Sequence, residues 1–272
     1  MEPRIPEEPD SPSLLRPRTV GEILGDAFRL YARHWQNLIV IVAAIVIPLS
    51  FLQVALAEVW IREGLTGEEF RGGVEVSTGT ALAGVLGGLV VAFVSILMWT
   101  ILTGAVTRAA AGTFLGRDLD IGESYRFGFA RFWSIVLVGV LAGLAIALGF
   151  LLLIIPGFIV LTFLACVIPC LVIEDKRGRE ALRRSWNLVR GHGWHVFGTI
   201  VVAALLNGVV SSLLTAPFGD NWAVRSIIGA IVAAITMPFM ALVGVFLYLD
   251  MRVRKERYTA ADLERDLARN AA

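Results

Sequence analysis

The chain has 272 residues, 57% of them hydrophobic, with a mean hydropathy of +0.74 and a net charge of only +1. Soluble domains carry roughly 45–50% apolar residues, so a soluble globular protein is excluded. The near-neutral total hides a strong separation of charge along the chain, and no nucleic-acid partner is expected.

The chain opens with an acidic, proline-rich stretch, residues 1–18, that lacks the apolar core of a signal peptide and reads as a disordered cytoplasmic tail. Thr19-Val-Gly-Glu22 is a capping box, an oxygen side chain at the N-cap with Glu three residues on. It opens an amphipathic helix in which Val20, Ile23, Leu24, Ala27, Leu30 and Tyr31 share a face and which ends near Trp35. A first span over His34–Ala57, a glycine-rich loop over Glu58–Glu75 and a second span over Val76–Thr107 follow.

The pattern then repeats. Asp120-Ile-Gly-Glu123 is a second capping box, followed by Tyr125, Phe127, Phe129 and Phe132 interleaved with Arg126 and Arg131 and ending at Trp133. The next 42 residues, Phe132–Ile173, carry no charge, which is two spans, with the turn expected at Pro156-Gly157. A third amphipathic segment sets Ala181, Leu182, Ser185, Trp186 and Val189 against Arg179, Arg183 and Arg190, ends near Trp194, and leads into spans over His192–Gly219 and Ser226–Leu249. The distances Trp133 to Pro156 and Trp194 to Pro217 match, each placing a proline at an outer turn.

The expected fold is therefore all-α: a polytopic membrane protein of six transmembrane helices and three cytoplasmic-face amphipathic helices, arranged as three helix-plus-hairpin units. With both ends inside, 21 of the 24 Lys and Arg fall on the cytoplasmic side and only Arg62, Arg71 and Arg225 on the other. The expected location is the bacterial cytoplasmic (inner) membrane, with a membrane domain over residues 19–250 and a charged tail over 251–272, where Thr259-Ala-Ala-Asp262 caps one short helix to about Arg269.

Within the spans, Gly84-x-x-x-Gly88, Gly139-x-x-x-Gly143 and Gly229-x-x-x-Ala233 suit close helix packing, and Pro48, Pro169 and Pro238 should kink their helices or free carbonyls. Cys166 and Cys170, four apart on one helix, read as small packing residues, because a helix cannot bridge that pair undistorted. No Asp, Glu, Lys or Arg falls in a span core, and the amides well inside are Gln53 and Asn207. His192-x-x-His195 has ligand spacing but no carboxylate or Cys to complete a metal site. With no nucleophile elbow and no phosphate loop, neither enzyme nor cofactor is expected. The candidate lipid-headgroup or interfacial residues are Arg183, Arg184, Arg190, Trp186 and Trp194. The amphipathic helices lie among headgroups, pack against the bundle, or do both.

Ile155-Pro156-Gly157-Phe158, Pro169, Glu174, the run Ala181–Gly191 and Trp194, with Gly21–Tyr31 and Tyr248–Glu256 at the two ends, resemble the membrane domain attached to some bacterial glycerophosphoryl diester phosphodiesterases, which also occurs alone. The likeness spans about residues 18–260. It implies a stand-alone membrane module, since that enzyme's barrel-type catalytic domain, with its His-Arg pair and metal-binding carboxylates, has no counterpart here. The expected role is to organise or sense lipids, with the bilayer and anionic phospholipid headgroups as partners, or to anchor an unidentified protein. The alternative is a transporter or exporter of a lipidic or apolar solute.

Overall fold

The computed structural model describes residues 16–62, 78–113, 131–218 and 222–271. The expected tail before residue 16, most of the glycine-rich loop and the second capping box at Asp120–Glu123 lie outside the described residues. The described chain is all helical, with no strand. In order it forms α1 Val20–Arg62, α2 Thr78–Thr113, α3 Phe132–Leu152, α4 Ile154–Phe163, α5 Val167–Glu174, α6 Arg179–Val189, α7 Gly193–Thr215, a short 3₁₀ turn Ala216–Phe218, α8 Trp222–Glu256 and α9 Ala260–Ala271. Six helical stretches are long and apolar enough to cross a membrane: Val20–Pro48, Phe93–Thr113, Phe132–Leu152, Ile154–Glu174, Gly193–Thr215 and Ile227–Glu256. The chain is a multi-pass membrane protein.

The first capping box forms as its residues dictate. The Thr19 N–H donates to Glu22 Oε2 at 2.8 Å and the Glu22 N–H returns a bond to Thr19 Oγ1 at 3.3 Å, so two otherwise unpaired donors are satisfied. The amphipathic segment then continues into the span with a break at His34 (φ −124°, ψ 24°), one residue before Trp35. The backbone N–H of Arg18 bonds Asp250, and the Tyr31 hydroxyl donates to the Ile235 carbonyl at 2.9 Å. At about 1.5 Å per residue these contacts lie roughly 20 Å apart on each helix, so the first half of α1 runs antiparallel beside α8. Its apolar stripe, Ile23 and Ala27 at 0% exposure, is buried in the bundle, while Phe28 and Arg29 face out. This helix packs one face against the bundle and leaves Phe28 and Arg29 on the other.

Two expectations about turns need correction. Between α3 and α4 the chain reverses at Leu153 (φ −166°, ψ 155°), not at Pro156-Gly157. Pro156 sits in the first turn of α4, where its missing N–H would have had no partner anyway. Gly157 instead serves the hairpin: a Cβ there would meet the Phe150 ring at 2.4 Å. The first span also continues as helix to Arg62, past the expected loop start at Glu58, and α8 runs unbroken past Leu249 to Glu256.

Gly139 and Gly143 pack as the small-residue spacing predicts. Added Cβ atoms would lie 2.3 Å from Thr100 Oγ1 and 2.6 Å from Ile96, so these glycines let α3 press onto α2. Gly229 has nothing within 4 Å, whereas Ala233 of the same motif packs against the core. Pro169 breaks the fourth span: lacking an N–H for the Ala165 carbonyl and crowding it, it separates α4 from α5 at Leu164–Cys166. The break redirects Val167 N–H to Leu164, and the Phe163 carbonyl accepts the Ser185 hydroxyl of α6 at 2.8 Å instead. Pro48 and Pro238 sit inside helices that continue through them. Cys166 and Cys170 are free, buried thiols.

Candidate functional site

Most of the charged residues described gather at one end of the bundle, where both ends of the described chain meet. Gly178 (φ 52°) and Gly191 (φ 95°) supply the left-handed backbone that lets α6 turn off α5 and then feed α7. On α6, Ala181, Ser185, Leu188 and Val189 are buried and Arg183, Trp186 and Arg190 are exposed, the division its 3.6-residue period sets.

Two buried carboxylates organise this basic end. Asp250, at 0% exposure, accepts the Arg18 backbone N–H at 2.7 Å and Arg254 Nε at 2.8 Å, and its Oδ2 lies 3.1 Å from His195 Nε2. Arg18 itself is 1% exposed, lies 5.1 Å over the Phe246 ring and donates to Asp26 at 2.8 Å. Burial holds its guanidinium below the ordinary arginine range, and the Asp26 carboxylate opposes that shift. One anion thus ties the chain entry, the start of α7 and the end of α8 together.

Glu174 is the second centre. It accepts Arg184 Nε at 2.6 Å and the Tyr248 hydroxyl at 2.8 Å, and lies 2.8 Å from Arg252 Nη1. Arg184 also donates to Glu256 at 2.9 Å. Arg252 reaches Glu256 at 2.7 Å and Asp266 at 3.4 Å, with its guanidinium 3.9 Å from the Tyr258 ring centroid. Burial lowers the affinity of Arg184 for its proton, but the hydrogen bonds to Glu256 and Glu174 more than offset this and leave its pKa raised. Burial and then the Asp266 hydrogen bond push the Tyr258 hydroxyl up, so it stays a donor.

The outermost piece, α9, is held by the third capping box. The Thr259 N–H and hydroxyl donate to Asp262 Oδ2 at 2.9 and 2.7 Å, as the Thr259-Ala-Ala-Asp262 spacing predicts. These bonds, the hydroxyl first, hold the Asp262 carboxyl below the usual range. A depressed carboxyl stabilises the fold above its unfolded pKa, and that contribution is lost as pH falls through the folded value. The protection factors of the α9 amides, exchange rates corrected for the intrinsic pH dependence of amide exchange, are therefore expected to fall on going from pH 6 to acid below the ordinary Asp value of 3.8. In Asp262→Asn that fall should be blunted; an identical change in protection in both proteins would contradict this role.

The five candidate residues separate into two groups. Arg184 is drawn into the Glu174 centre, whereas Arg183 and Arg190 stay exposed. Trp186 stacks on Phe163 with centroids 4.3 Å apart and is 39% exposed; Trp194 is 88% exposed and meets Phe197 edge-on at 6.0 Å. Trp194 stands at one end of an apolar groove of about 590 Å³ between α4 and α7, walled by Ile155, Phe158, Ile159, Phe163 and Phe197. Gly191, next to the exposed Arg190, also lines it.

Residues 19–251 match the family described as Domain of unknown function (DUF7847). The chain belongs to that family. The matched stretch takes in Glu174, Arg184, His195 and Asp250, so both central carboxylates fall within the family domain, while their partners Arg18, Arg252 and Arg254 lie just beyond its ends. No curated protein and no solved structure matches the chain.

Proposed function

We propose that this protein is a non-enzymatic bacterial inner-membrane protein whose basic end faces the cytoplasm and holds anionic phospholipid. The observation that carries this reading is the apolar groove between α4 and α7, with Trp194 at its end and Arg190 beside it. An acyl chain suits the groove wall, an indole at 88% exposure suits the headgroup level, and exposed arginines suit phosphate. The 21-to-3 division of basic residues supports the orientation. The resemblance to the phosphodiesterase-attached membrane domain supports a stand-alone membrane module and leaves its role to the groove. Several residues of that resemblance, among them Glu174, Arg184 and Asp250, form the two carboxylate centres that brace α6 and α7 beside the groove.

Arg183 and Arg190 are both exposed, so their loss should not disturb the fold. Each Arg near an anionic surface contributes about 1 kcal/mol, so replacing both with Gln should weaken retention of phosphatidylglycerol over phosphatidylcholine by roughly 30-fold. Native mass spectrometry of the purified protein measures this directly. Equal phosphatidylglycerol retention by wild type and the double variant would overturn the proposal.

A further inference from the structure

A second space lies inside the bundle, on the other side of the same seam. It is a cavity of about 490 Å³ among α2, α3, α4, α5, α7 and α8, bordered by Trp99, Thr100, Thr103, Ala142, Leu164 and Ala203. Its size falls within the roughly 300–1,000 Å³ of small-molecule sites. The wall looks partly polar in sequence, but its hydroxyls are already spent. Ser95 donates to the Val91 carbonyl at 2.8 Å, Thr100 to Ile96 at 2.6 Å and Thr103 to Trp99 at 2.7 Å, each one turn back on α2. A buried water needs about three hydrogen bonds, and this wall offers acceptor lone pairs without free hydroxyl donors. The space is chemically a hydrocarbon slot.

Its position indicates where an occupant would come from. Leu161 of α4, with Leu164 and Ala165 in the break just after it, lines the cavity, while Ile159, Thr162 and Phe163 of α4 line the outer groove, so one span separates the two. On α7 the same division falls between Ile200 and Ala203 inside and Trp194 and Phe197 outside. Across this seam Phe158 and Phe197 meet edge-on at 6.0 Å, a contact of two rings that turn about their own side-chain bonds. The cavity is also lined by residues of five of the six membrane-spanning stretches, so the apolar matter beyond the seam is lipid hydrocarbon.

We propose that this cavity is a binding site for one acyl chain of a membrane phospholipid, admitted between α4 and α7. The site is distinct from the headgroup contact at Arg183 and Arg190, and each can fail without the other.

The test is photolabelling of the full chain in phosphatidylglycerol nanodiscs, using phosphatidylglycerol with a diazirine in one acyl chain and mapping adducts by peptide mass spectrometry. Adducts on α2 between Ser95 and Thr103 and on α7 at Ala203 are expected. Ala203→Trp should abolish the α2 adducts while leaving those at Phe158 and Trp194, and Ala142→Leu, on a different helix, should do the same. Wild-type protein labelled at Phe158 and Trp194 but not on α2 would overturn the acyl site and leave the headgroup reading standing. Labelling on α2 that persists in both variants would also overturn it, as would α2 labelling by a diazirine fatty acid but not by the phospholipid.

Discussion

Replacing Asp250 with Ala is expected to cost the folded protein about 3–5 kcal/mol, the usual penalty for removing one partner of a buried ion pair. Asp250 is fully buried and faces the Arg18 N–H, Arg254 and His195 together, so its loss leaves a backbone donor and a guanidinium without their acceptor. Arg18, at 1% exposure, has no route to water that would soften the loss. Asp250→Asn keeps an oxygen for the Arg18 N–H but removes the charge, and should fall between the two. Thermal unfolding in detergent, followed by circular dichroism, gives the order wild type, Asn, Ala. An Ala variant that melts with wild type would show that the two ends of the chain are not held together here.

Arg183 and Arg184, adjacent in sequence, are expected to behave oppositely. Arg184→Gln withdraws a donor from both Glu174, 10% exposed, and Glu256, 34% exposed. Because the Glu256 side is partly solvated, a loss near the lower end of the buried-pair range, about 3 kcal/mol, is expected. Arg183→Gln should stay within about 0.5 kcal/mol of wild type, as exposed substitutions do. Phosphatidylglycerol retention should show the reverse dependence: reduced in Arg183→Gln and kept in whatever Arg184→Gln protein remains folded. A double-mutant cycle of Arg184→Gln with Glu174→Gln should return a coupling of roughly 0.5–3 kcal/mol. Zero coupling would remove Glu174 from its place at the centre of the network.

The difference between these two arginines also shows where sequence reasoning reached its limit. Charge-free length and the distribution of Arg were enough for the six apolar helices, and local chemistry was enough for the capping boxes at Thr19 and Thr259, the Pro169 break and the Gly139 contact. These are effects of neighbours along the chain or one helical turn away. The turn at Leu153 was hidden because Pro156-Gly157 suits a turn and the first turn of a helix equally well. The two carboxylate centres depend on residues far apart, Arg18 with Asp250 and Glu174 with Arg184 and Arg252, and no periodicity reports such pairings. A faint signal was present: Glu174, followed by Asp175, and Asp250 are the first acids at the ends of long apolar runs, and a strongly basic stretch follows each. An acid kept at that position beside so many arginines has partners close by. The approach of His195 to Asp250 was hidden for the same reason, since it exists only after α7 and α8 have packed.

The hydrogen bond from Ser185 to the Phe163 carbonyl joins residues 22 positions apart and so puts an order on assembly. When the hairpin of α3 with α4 and α5 first enters the bilayer, the break before Pro169 leaves that carbonyl without a helical donor, in a medium that offers none. The debt is settled only when the ribosome has delivered α6 and its hydroxyl has docked. Until then the second hairpin is inserted but incomplete, and a nascent chain released before Ser185 would carry an open carbonyl at a weak point of its own span. In the finished protein the same bond anchors the face of α6 opposite the exposed Arg183, so the helix that turns this arginine outward is also the one that closes the break in the helix beside it.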